Sequence, residues 1–364
     1  MSIQNKFFTP LACSALLALT LGAAVVSAQD SAVPPPQQDK PSTPEVKTEK
    51  QDAAKPETQD AAKSDVKSDK KDKEPAPTGV PVLWRDPGDV ASRNLLHGRG
   101  GEEMKPDLSN VTFMEEETGG YSPKFRVKDG AGKVWVAKMG KEAQPETVAA
   151  RLVWAVGFVG ETNYLAPCVV IKGAPEPKKE VDKCEGGKGF ANVRFEARPE
   201  GYKRLEEWSW KENPFASTRE MKGFIVLMAL INNWDLKDSN NKIVYVPGGE
   251  GGQGELHYII SDLGATFGKT GNFITHNRNE PKDFAKSDFI EKAEGGRVSF
   301  GYDGKNQGLM SDIKVEEAKW IGGLLSKLTE QQIQDAFRAA NYGPEDVTVL
   351  SAALRAKINQ LASL

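Results

Sequence analysis

The feature that most constrains the fold of this chain is the polar run at 233–240, Asn-Trp-Asp-Leu-Lys-Asp-Ser-Asn. It follows a stretch of apolar residues that predicts a helix over Thr218–Asn232, and this helix delivers the run as a loop. The loop offers a carboxylate at Asp235, an amine at Lys237 and an amide at Asn240. In phosphotransferases an acid orients the attacking hydroxyl, a lysine offsets charge on the moving phosphoryl group, and an asparagine holds magnesium. Because Asp, Lys and Asn are common loop residues, the run gains meaning only together with other segments.

A second segment with the same chemical logic ends at Asp262. Tyr258, Ile260 and Asp262 fall on one face of a period-two strand, so the carboxylate is expected where an apolar face ends. Gly264 lets the backbone turn sharply just beyond it. A carboxylate at a strand end can offer oxygen to a hard cation such as Mg²⁺. The alternative is a strand that leads into an ordinary Asp-x-Gly turn.

The third segment is the predicted strand Val134–Lys138, in which the lysine shares a face with two valines. A lysine on an apolar strand face is unusual unless a negative group receives it. Glu146 begins the helix predicted over Thr147–Phe158, and it could pair with Lys138 and aim it at phosphate oxygens. The alternative is a lysine at a strand end that extends its amine into solvent.

The order of these segments along the chain resembles that of the protein-kinase-like superfold. A Gly-containing turn precedes the strand lysine, the helix glutamate, the D-x-K-x-x-N loop and the D-x-G, over about residues 112–265. The sequence lacks G-x-G-x-x-G, an H-R-D before Asp235 and an A-P-E after Asp262, so it is more similar to the atypical HipA-like and phosphatidylinositol-kinase-like branches. Gly119-Gly120-Tyr-Ser-Pro-Lys124 is similar to the short phosphate loop of HipA-like kinases. The resemblance implies an α+β, bilobal fold with a small β-rich N-lobe and a larger, mainly helical C-lobe.

The resemblance also implies which residues bind ATP. Lys138 would contact the α and β phosphates, with Glu146 as its partner. Gly119, Gly120 and Ser122 would bring backbone N–H groups to the phosphates, because glycine permits close approach and anion-binding turns. A plain hairpin turn explains the two glycines nearly as well.

The remaining roles implied by the resemblance are catalysis and magnesium binding. Asp235 would be the catalytic acid–base or orienting carboxylate, and Lys237 would lie near the transferred phosphoryl group. Asn240 and Asp262 would be the Mg²⁺ ligands. Asn241 stays open as an alternative to Asn240, although Asn240 fits the D-x-K-x-x-N spacing better.

The N-terminus predicts export. Lys6 precedes an apolar core at Leu11–Val26, and small residues end at Ala28, which together indicate a signal peptide over residues 1–28. No later segment approaches the length that a bilayer requires. The expected location is therefore secreted or periplasmic.

Residues 29–78 are rich in Pro, Lys, Asp and Glu and nearly free of apolar side chains, which predicts a disordered linker. Its charges are mixed in sign, as suits a solvated tether. The formal net charge of the whole chain is -3, which argues against general binding to nucleic acid or anionic membranes.

Signal cleavage removes Cys13 and leaves Cys168 and Cys184. Two cysteines in an exported chain favour one disulfide, and a loop of this size contributes about 3 kcal/mol. Two unpaired thiols are the alternative. The chain contains no Cys/His cluster with zinc spacing.

The folded part is divided into an N-lobe over 79–200 and a C-lobe over 201–364, with a hinge at Arg198–Tyr202 where an adenine could be read by backbone groups. Ala265–Asp303 is expected to be a mobile segment that faces the acceptor. Predicted strands are Val111–Glu115, Phe125–Lys128, Val134–Lys138, Pro167–Lys172 and Phe190–Phe195, followed by a hairpin of Lys242–Val246 with Tyr258–Ser261. Predicted C-terminal helices are Val315–Leu328, one that begins with a capping box at Thr329 and Gln332, and Val347–Leu361.

These features favour an exported, kinase-like phosphotransferase that moves a phosphoryl group from Mg-ATP to a hydroxyl of an unknown protein, lipid or small-molecule acceptor. The alternative is a secreted, noncatalytic binding module that keeps the kinase fold. A third hypothesis is a structural envelope protein whose tether lets a globular head reach a partner.

Overall fold

The computed structural model describes residues 75–248, 252–271 and 274–364. The signal peptide expected over 1–28 lies outside the described residues, as does the expected linker over 29–78 except for its last four positions, which form no regular element. The described chain combines three β-sheets with six α-helices, which confirms the expected α+β class.

The strands are β1 (Val80–Val82), β2 (Val111–Glu117), β3 (Lys124–Lys128), β4 (Val134–Lys138), β5 (Asn163–Val169), β6 (Ile171–Lys172), β7 (Phe190–Ala197), β8 (Lys203–Arg204), β9 (Asn241–Val246), β10 (Glu255–Ile260), β11 (Ile290–Glu294) and β12 (Arg297–Phe300). The helices are α1 (Ala143–Ala155), α2 (Arg219–Leu230), α3 (Pro281–Lys286), α4 (Val315–Leu325), α5 (Glu330–Arg338) and α6 (Pro344–Ala362).

A six-stranded sheet, in the order β5-β7-β4-β3-β2-β6, has one apolar and one charged face. Side chains alternate along each strand, so Phe125, Trp135 and Phe195 share the face that forms a separate hydrophobic cluster. Lys138 and Arg194 are directly opposite each other on neighbouring strands and lie on the other face. The charged face is therefore available to build a site.

Two predictions in this half differ from the structure. The strand predicted over Pro167–Lys172 is two strands, β5 and the short β6, and β5 begins four residues earlier. Helix α1 begins at Ala143 rather than Thr147, with Pro145 in its first turn. A proline is tolerated there because the first N–H groups of a helix have no intrahelical partner.

A four-stranded sheet, in the order β1-β10-β9-β8, holds the predicted hairpin. The backbone N–H of Ser261 donates to the carbonyl of Asn240 at 2.8 Å, which places the two ends of the hairpin together. Strand β10 ends at Ile260. Asp262 therefore follows the strand, although it had been expected to share a strand face with Tyr258 and Ile260. The sequence had also given no sign of β1, which pairs with β10 in parallel.

The helices enclose the larger hydrophobic cluster, in which Phe158 stacks on Phe224 with ring centroids 4.4 Å apart. The predicted capping box is confirmed, since the side chains of Thr329 and Gln332 each accept from the backbone N–H of the other. The last helix begins three residues earlier than predicted, with Pro344 in the first turn of α6.

The expected acceptor-facing segment, Ala265–Asp303, contains more regular structure than its composition indicated. Pro281 begins α3, and Gly295 and Gly296 form the turn between β11 and β12 with φ of 58° and 77°. Residues 272–273 of this segment lie outside the described part of the chain.

The expected disulfide joins Cys168 to Cys184, with Cα atoms 5.6 Å apart. It attaches the end of β5 to the loop that precedes β7. Among the helices that the structure describes, none has both the length and the apolar character needed to span a membrane.

Candidate functional site

The centre of the site is Lys138, a lysine buried at the end of β4. Its Nζ lies 2.9 Å from Glu146 Oε2, 2.9 Å from Glu142 Oε2 and 3.1 Å from Asp262 Oδ1. The ion pair with Glu146 connects the sheet to α1, and the contact with Asp262 reaches the chain just beyond β10. Three of the residues that the sequence singled out, Lys138, Glu146 and Asp262, therefore lie in one cluster.

The carboxylates fix the protonation of this lysine. Burial alone lowers the pKa of Lys138, but the attraction of Glu146, Asp262 and Glu142 outweighs it and raises the pKa well above its ordinary value. Lys138 is therefore a cation at every physiological pH. Burial also raises the pKa of Asp262, but Lys138 and the Gly264 N–H lower it to a net value below the ordinary one.

Glu146 is the most enclosed carboxyl group in the cluster. Burial raises its pKa against the attraction of Arg194 and Lys138. Arg194 Nη2 lies 3.1 Å from Glu146 Oε1, opposite the oxygen that Lys138 contacts. Two cations at ion-pair distance favour the ionised form, because each attracts a different oxygen.

Glu142 brings two further segments to Lys138. Its Oε2 accepts a hydrogen bond of 2.7 Å from Ser122 Oγ, in the turn that leads into β3. Its Oε1 pairs with the guanidinium of Arg278, from the segment that follows Asp262. Ser122 thus joins the cluster through its hydroxyl, whereas a backbone N–H had been expected to act.

Gly264 has a packing role that the sequence did not indicate. Its φ is not in the left-handed region. A Cβ atom at this position would lie only 2.5 Å from Cβ of Glu142. The missing side chain therefore makes room for Glu142 beside Asp262.

The predicted catalytic loop begins after α2. Lys237 Nζ lies 2.9 Å from Asp235 Oδ2, and the lysine side chain is 48% exposed. Asn240 Nδ2 donates to the Asp235 carbonyl at 2.7 Å and to Asp235 Oδ2 at 3.2 Å. The loop is thus a second small cluster, in which a partly buried carboxylate is held between an amine and an amide.

The amide side chains of Asn240 and Asn241 point to different surroundings. Asn240 contacts Asp235, whereas buried Asn241 donates to the Trp208 carbonyl at 2.9 Å. This geometry favours Asn240 as the candidate ligand. Because Asn240 faces Ser261 across the hairpin, Asp262 lies one residue beyond its pairing partner.

The donor set suits a hard cation, since it consists of carboxylate and amide oxygens. Asp262 uses Oδ1 for Lys138 and for the N–H of Gly264, and its side chain is 32% exposed. Within the described residues, no group of three or more His, Cys, Asp or Glu side chains could hold a metal ion by itself. A metal at this place therefore needs oxygen ligands from elsewhere, as Mg²⁺ does when it binds nucleotide phosphates.

The Gly turn connects β2 to β3. Gly119 and Gly120 have φ of 103° and 75°, and both are exposed. Lys124 Nζ lies 3.4 Å from where a Cβ of Gly120 would be. Both interpretations of these glycines stay open, because a hairpin turn and a phosphate-binding turn each use positive φ.

Sequence reasoning missed Arg194 and Arg278. Arg194 lies on the face of β7 opposite Val193 and Phe195, beside Glu196, and this pair of opposite charges on one strand face was the signal that could have found it. Arg278 had no such signal, because it lies in an irregular segment and reaches Glu142 from 136 positions away in the chain.

Two cavities border segments that the sequence had singled out. A cavity of about 1330 Å³ is bordered by the segment after Asp262, including Lys269, Tyr302 and Asp303. Tyr302 Oη donates to the carbonyl of Asn233 at 2.8 Å, which connects this cavity to the predicted catalytic loop. A second cavity of about 230 Å³ borders the expected hinge, Arg198–Tyr202.

No protein-family model matches the sequence, and no curated protein matches it significantly. Among solved structures, the chain is similar to the crystal structure of the Helicobacter pylori proinflammatory kinase CtkA, with 10% sequence identity and a TM-score of 0.43. The match covers 69% of this chain and 96% of that one. A TM-score of this size does not establish a shared fold, so the functional interpretation depends on the contacts within the site.

Proposed function

We propose that this chain is an exported phosphotransferase of the protein-kinase-like type, which moves a phosphoryl group from Mg-ATP to a hydroxyl of a protein, lipid or small-molecule acceptor. The observation that carries the proposal is buried Lys138, paired with Glu146 of a helix and with Asp262 beyond a strand. Protein kinases use a strand lysine, a helix glutamate and a magnesium-binding aspartate in this combination. In this proposal, the six-stranded sheet and α1 form the N-lobe, and the helical part forms the C-lobe.

The residues of the two clusters would divide the chemistry. Lys138, held by Glu146, would contact the α and β phosphates, and Asp262 with Asn240 would hold Mg²⁺. The bound ion would neutralise charge on the phosphates. Asp235 would orient the acceptor hydroxyl and accept its proton as the oxygen attacks the γ-phosphorus and ADP leaves. Lys237 would offset charge on the moving phosphoryl group.

The expected position of the acceptor is the cavity bordered by Tyr302 and Asp303. Tyr302 contacts the backbone at Asn233, so an acceptor in this cavity would lie beside Asp235. Burial, together with the carboxylates of Asp235 and Asp303, raises the pKa of Tyr302. Its hydroxyl therefore stays protonated and can act as a hydrogen-bond donor in the ordinary pH range.

The disulfide supports the exported part of the proposal. Disulfides persist in secreted and periplasmic proteins and are rare in the cytosol. The pair Cys168–Cys184 is therefore compatible with a secreted or periplasmic location, as the N-terminal sequence predicts.

Titration calorimetry with ATP, with and without Mg²⁺, tests the proposal. We expect magnesium-dependent binding by the wild-type protein and its loss in Asp262→Ala. Asp312→Ala is the matched control, because Asp312 is also paired with cations but lies among exposed residues outside both clusters. The control should bind ATP as the wild type does.

The other outcomes separate the alternatives. If the folded wild-type protein binds none of the common nucleotides, the phosphotransferase hypothesis is wrong. Two results together would favour the noncatalytic binding module. The wild type would bind nucleotide without hydrolysing it or transferring its phosphoryl group, and Asp235→Asn would bind nucleotide with the same affinity as the wild type.

A further inference from the structure

Glu142 gathers three hydrogen-bond donors, from the strand just before it, from the turn that leads into β3 and from the segment after Asp262. Its carboxylate meets Lys138 Nζ at 2.9 Å, Ser122 Oγ at 2.7 Å and the guanidinium of Arg278. The Glu142 side chain is only 5% exposed. An ammonium, a hydroxyl and a guanidinium around one anion form the donor set that also binds phosphate oxygens.

Arg278 is held in place independently of Glu142. Its guanidinium carbon lies 5.0 Å from the centre of the Tyr121 ring and 4.9 Å from the centre of the Trp234 ring. Such cation–π contacts fix the plane and position of an arginine. The cation therefore stays between the Gly turn and the catalytic loop if Glu142 moves away.

The position of Arg278 between these two segments is significant for phosphoryl transfer. Tyr121 belongs to the turn proposed to cover the phosphates, and Trp234 directly precedes Asp235. In the proposed reaction, the phosphoryl group would pass between these two parts of the site. An arginine at this place stabilises the negative charge that develops on the group during transfer.

We propose that Arg278 binds a terminal phosphate of the nucleotide, and that Glu142 occupies that phosphate position in the ligand-free protein. The inference rests on the proposed function and adds two residues to it. An incoming phosphate has to displace Glu142, and Lys138, Ser122 and Arg278 then donate to the phosphate. Glu142 thus lowers the affinity of the site for phosphate and keeps the three donors ordered when the site is empty.

Calorimetry with three ligands in magnesium buffer tests this inference: ATP, inorganic tripolyphosphate and adenosine. Arg278→Ala should weaken binding of ATP and tripolyphosphate about tenfold, because a charge-assisted hydrogen bond is lost, and leave adenosine binding within about twofold. Glu142→Gln should tighten binding of both phosphate ligands and leave adenosine unchanged. Arg278→Lys, which keeps the charge without the fork, should lie between the wild type and Arg278→Ala and replaces it if that variant does not fold.

Arg219→Ala is the matched control. Arg219 also stacks on a tryptophan, 4.7 Å from the ring of Trp320, and pairs with a neighbouring glutamate. This control should bind all three ligands as the wild type does. Equal loss of adenosine and ATP in Arg278→Ala, or weaker ATP binding in Glu142→Gln, would overturn the inference.

The ligands also separate this inference from the proposed function. If the wild type binds tripolyphosphate through Arg278 but no nucleotide, the proposed function fails and the phosphate site stands. If ATP binds and its phosphoryl group is transferred, and Arg278→Ala changes neither, the phosphate site fails and the proposed function stands. Binding of none of the three ligands overturns both.

Discussion

At the scale of single residues, Lys138 is the charge on which the site depends. It is the shared partner of Glu142, Glu146 and Asp262, and two of these carboxylates are nearly inaccessible to solvent. A buried ion pair adds little stability compared with an apolar pair, but removing one partner leaves an uncompensated charge. Losing Lys138 is therefore expected to lower the free energy of unfolding as well as to impair phosphate binding.

Lys138→Met should lower the free energy of unfolding by about 3 kcal/mol, because it leaves the buried carboxylates without their shared cation. Urea unfolding at neutral pH measures this loss. Lys133→Met is the control, since Lys133 is exposed in the turn before β4 and its replacement should cost under about 0.5 kcal/mol. Equal midpoints for the two variants would show that Lys138 is not the partner on which the cluster depends.

The residues of this cluster differ in how far the sequence could predict them. Lys138 interrupts an alternating apolar face, and Glu146 follows at the start of an amphipathic helix, so local pattern brought the two together. Arg278 and Glu142 meet only because the chain returns past Asp262, and no periodicity encodes that contact. Gly264 was noticed, but the reason for it, close packing against Glu142, is a property of the fold.

At the scale of elements, α6 is attached to the C-terminal end of α3 through a buried lysine. Lys357 Nζ donates to Ser287 Oγ at 2.9 Å and to the Ser287 carbonyl at 3.2 Å, and it lies 4.9 Å from the ring of Phe284. Burial lowers the pKa of Lys357 to about 8, although the carboxylate of Asp288 acts in the opposite direction. This helix is therefore held by a group that changes charge above neutral pH.

Lys357 should make the stability of the protein rise with pH. The unfolded chain keeps this lysine charged up to a pKa of about 10.4, whereas the folded protein releases the proton near pH 8. Between pH 8 and 10 the unfolded state binds more protons, so the free energy of unfolding rises, by about 2 kcal/mol from this group alone. Urea unfolding of the wild type and of Lys357→Met across this range measures the effect. The difference in free energy of unfolding between the two proteins should change by that amount from pH 8 to pH 10. A difference that stays constant would contradict the assignment of this effect to Lys357.

The disulfide should stabilise β5 and the loop before β7. The bond joins residues 16 positions apart, and closing a loop of this size restricts the unfolded chain by about 3 kcal/mol. Replacing both Cys168 and Cys184 with serine should lower the free energy of unfolding by that amount in urea. Reducing agent should do the same to the wild type and leave the double variant unchanged.

Elements with a strong local pattern could be predicted, and those defined by distant pairing could not. Val134–Lys138 and the capping box at Thr329 agree with the sequence, because alternation and capping are local signals. Strand β1 is three residues long and contains Pro81, so nothing in its own sequence marks it as a strand. It exists because β10 offers it an open edge.

At the scale of the whole molecule, the described residues from 75 onward belong to one compact unit, and its earliest segment is part of the larger core. Leu83 is buried among residues of that core, directly after β1. Trp84 donates to the Val156 carbonyl at 2.7 Å and packs edge-on against Trp320. The part of the chain that follows the predicted linker therefore takes part in global stability.

Leu83→Ala should lower the free energy of unfolding by about 3 kcal/mol, since it leaves a cavity in the larger core. Val80→Ala is the control, because Val80 lies in the adjacent strand β1 and is 46% exposed, so its replacement should cost under about 1 kcal/mol. For each variant, urea unfolding followed by tryptophan fluorescence should give the same transition as unfolding followed by circular dichroism. A separate early transition in Leu83→Ala would mean that this segment unfolds locally, without the rest.

The parallel pairing of β1 with β10 also defines a route for mechanical force. Tension on the chain upstream of Pro75 enters the folded part at Val80, which is bonded to Gly254 and is the first of three residue pairs along β10. Strand β10 leads within two residues to Asp262 and so to Lys138. A molecule pulled at its N-terminal end would therefore pass the load to β10, the strand that leads to this site.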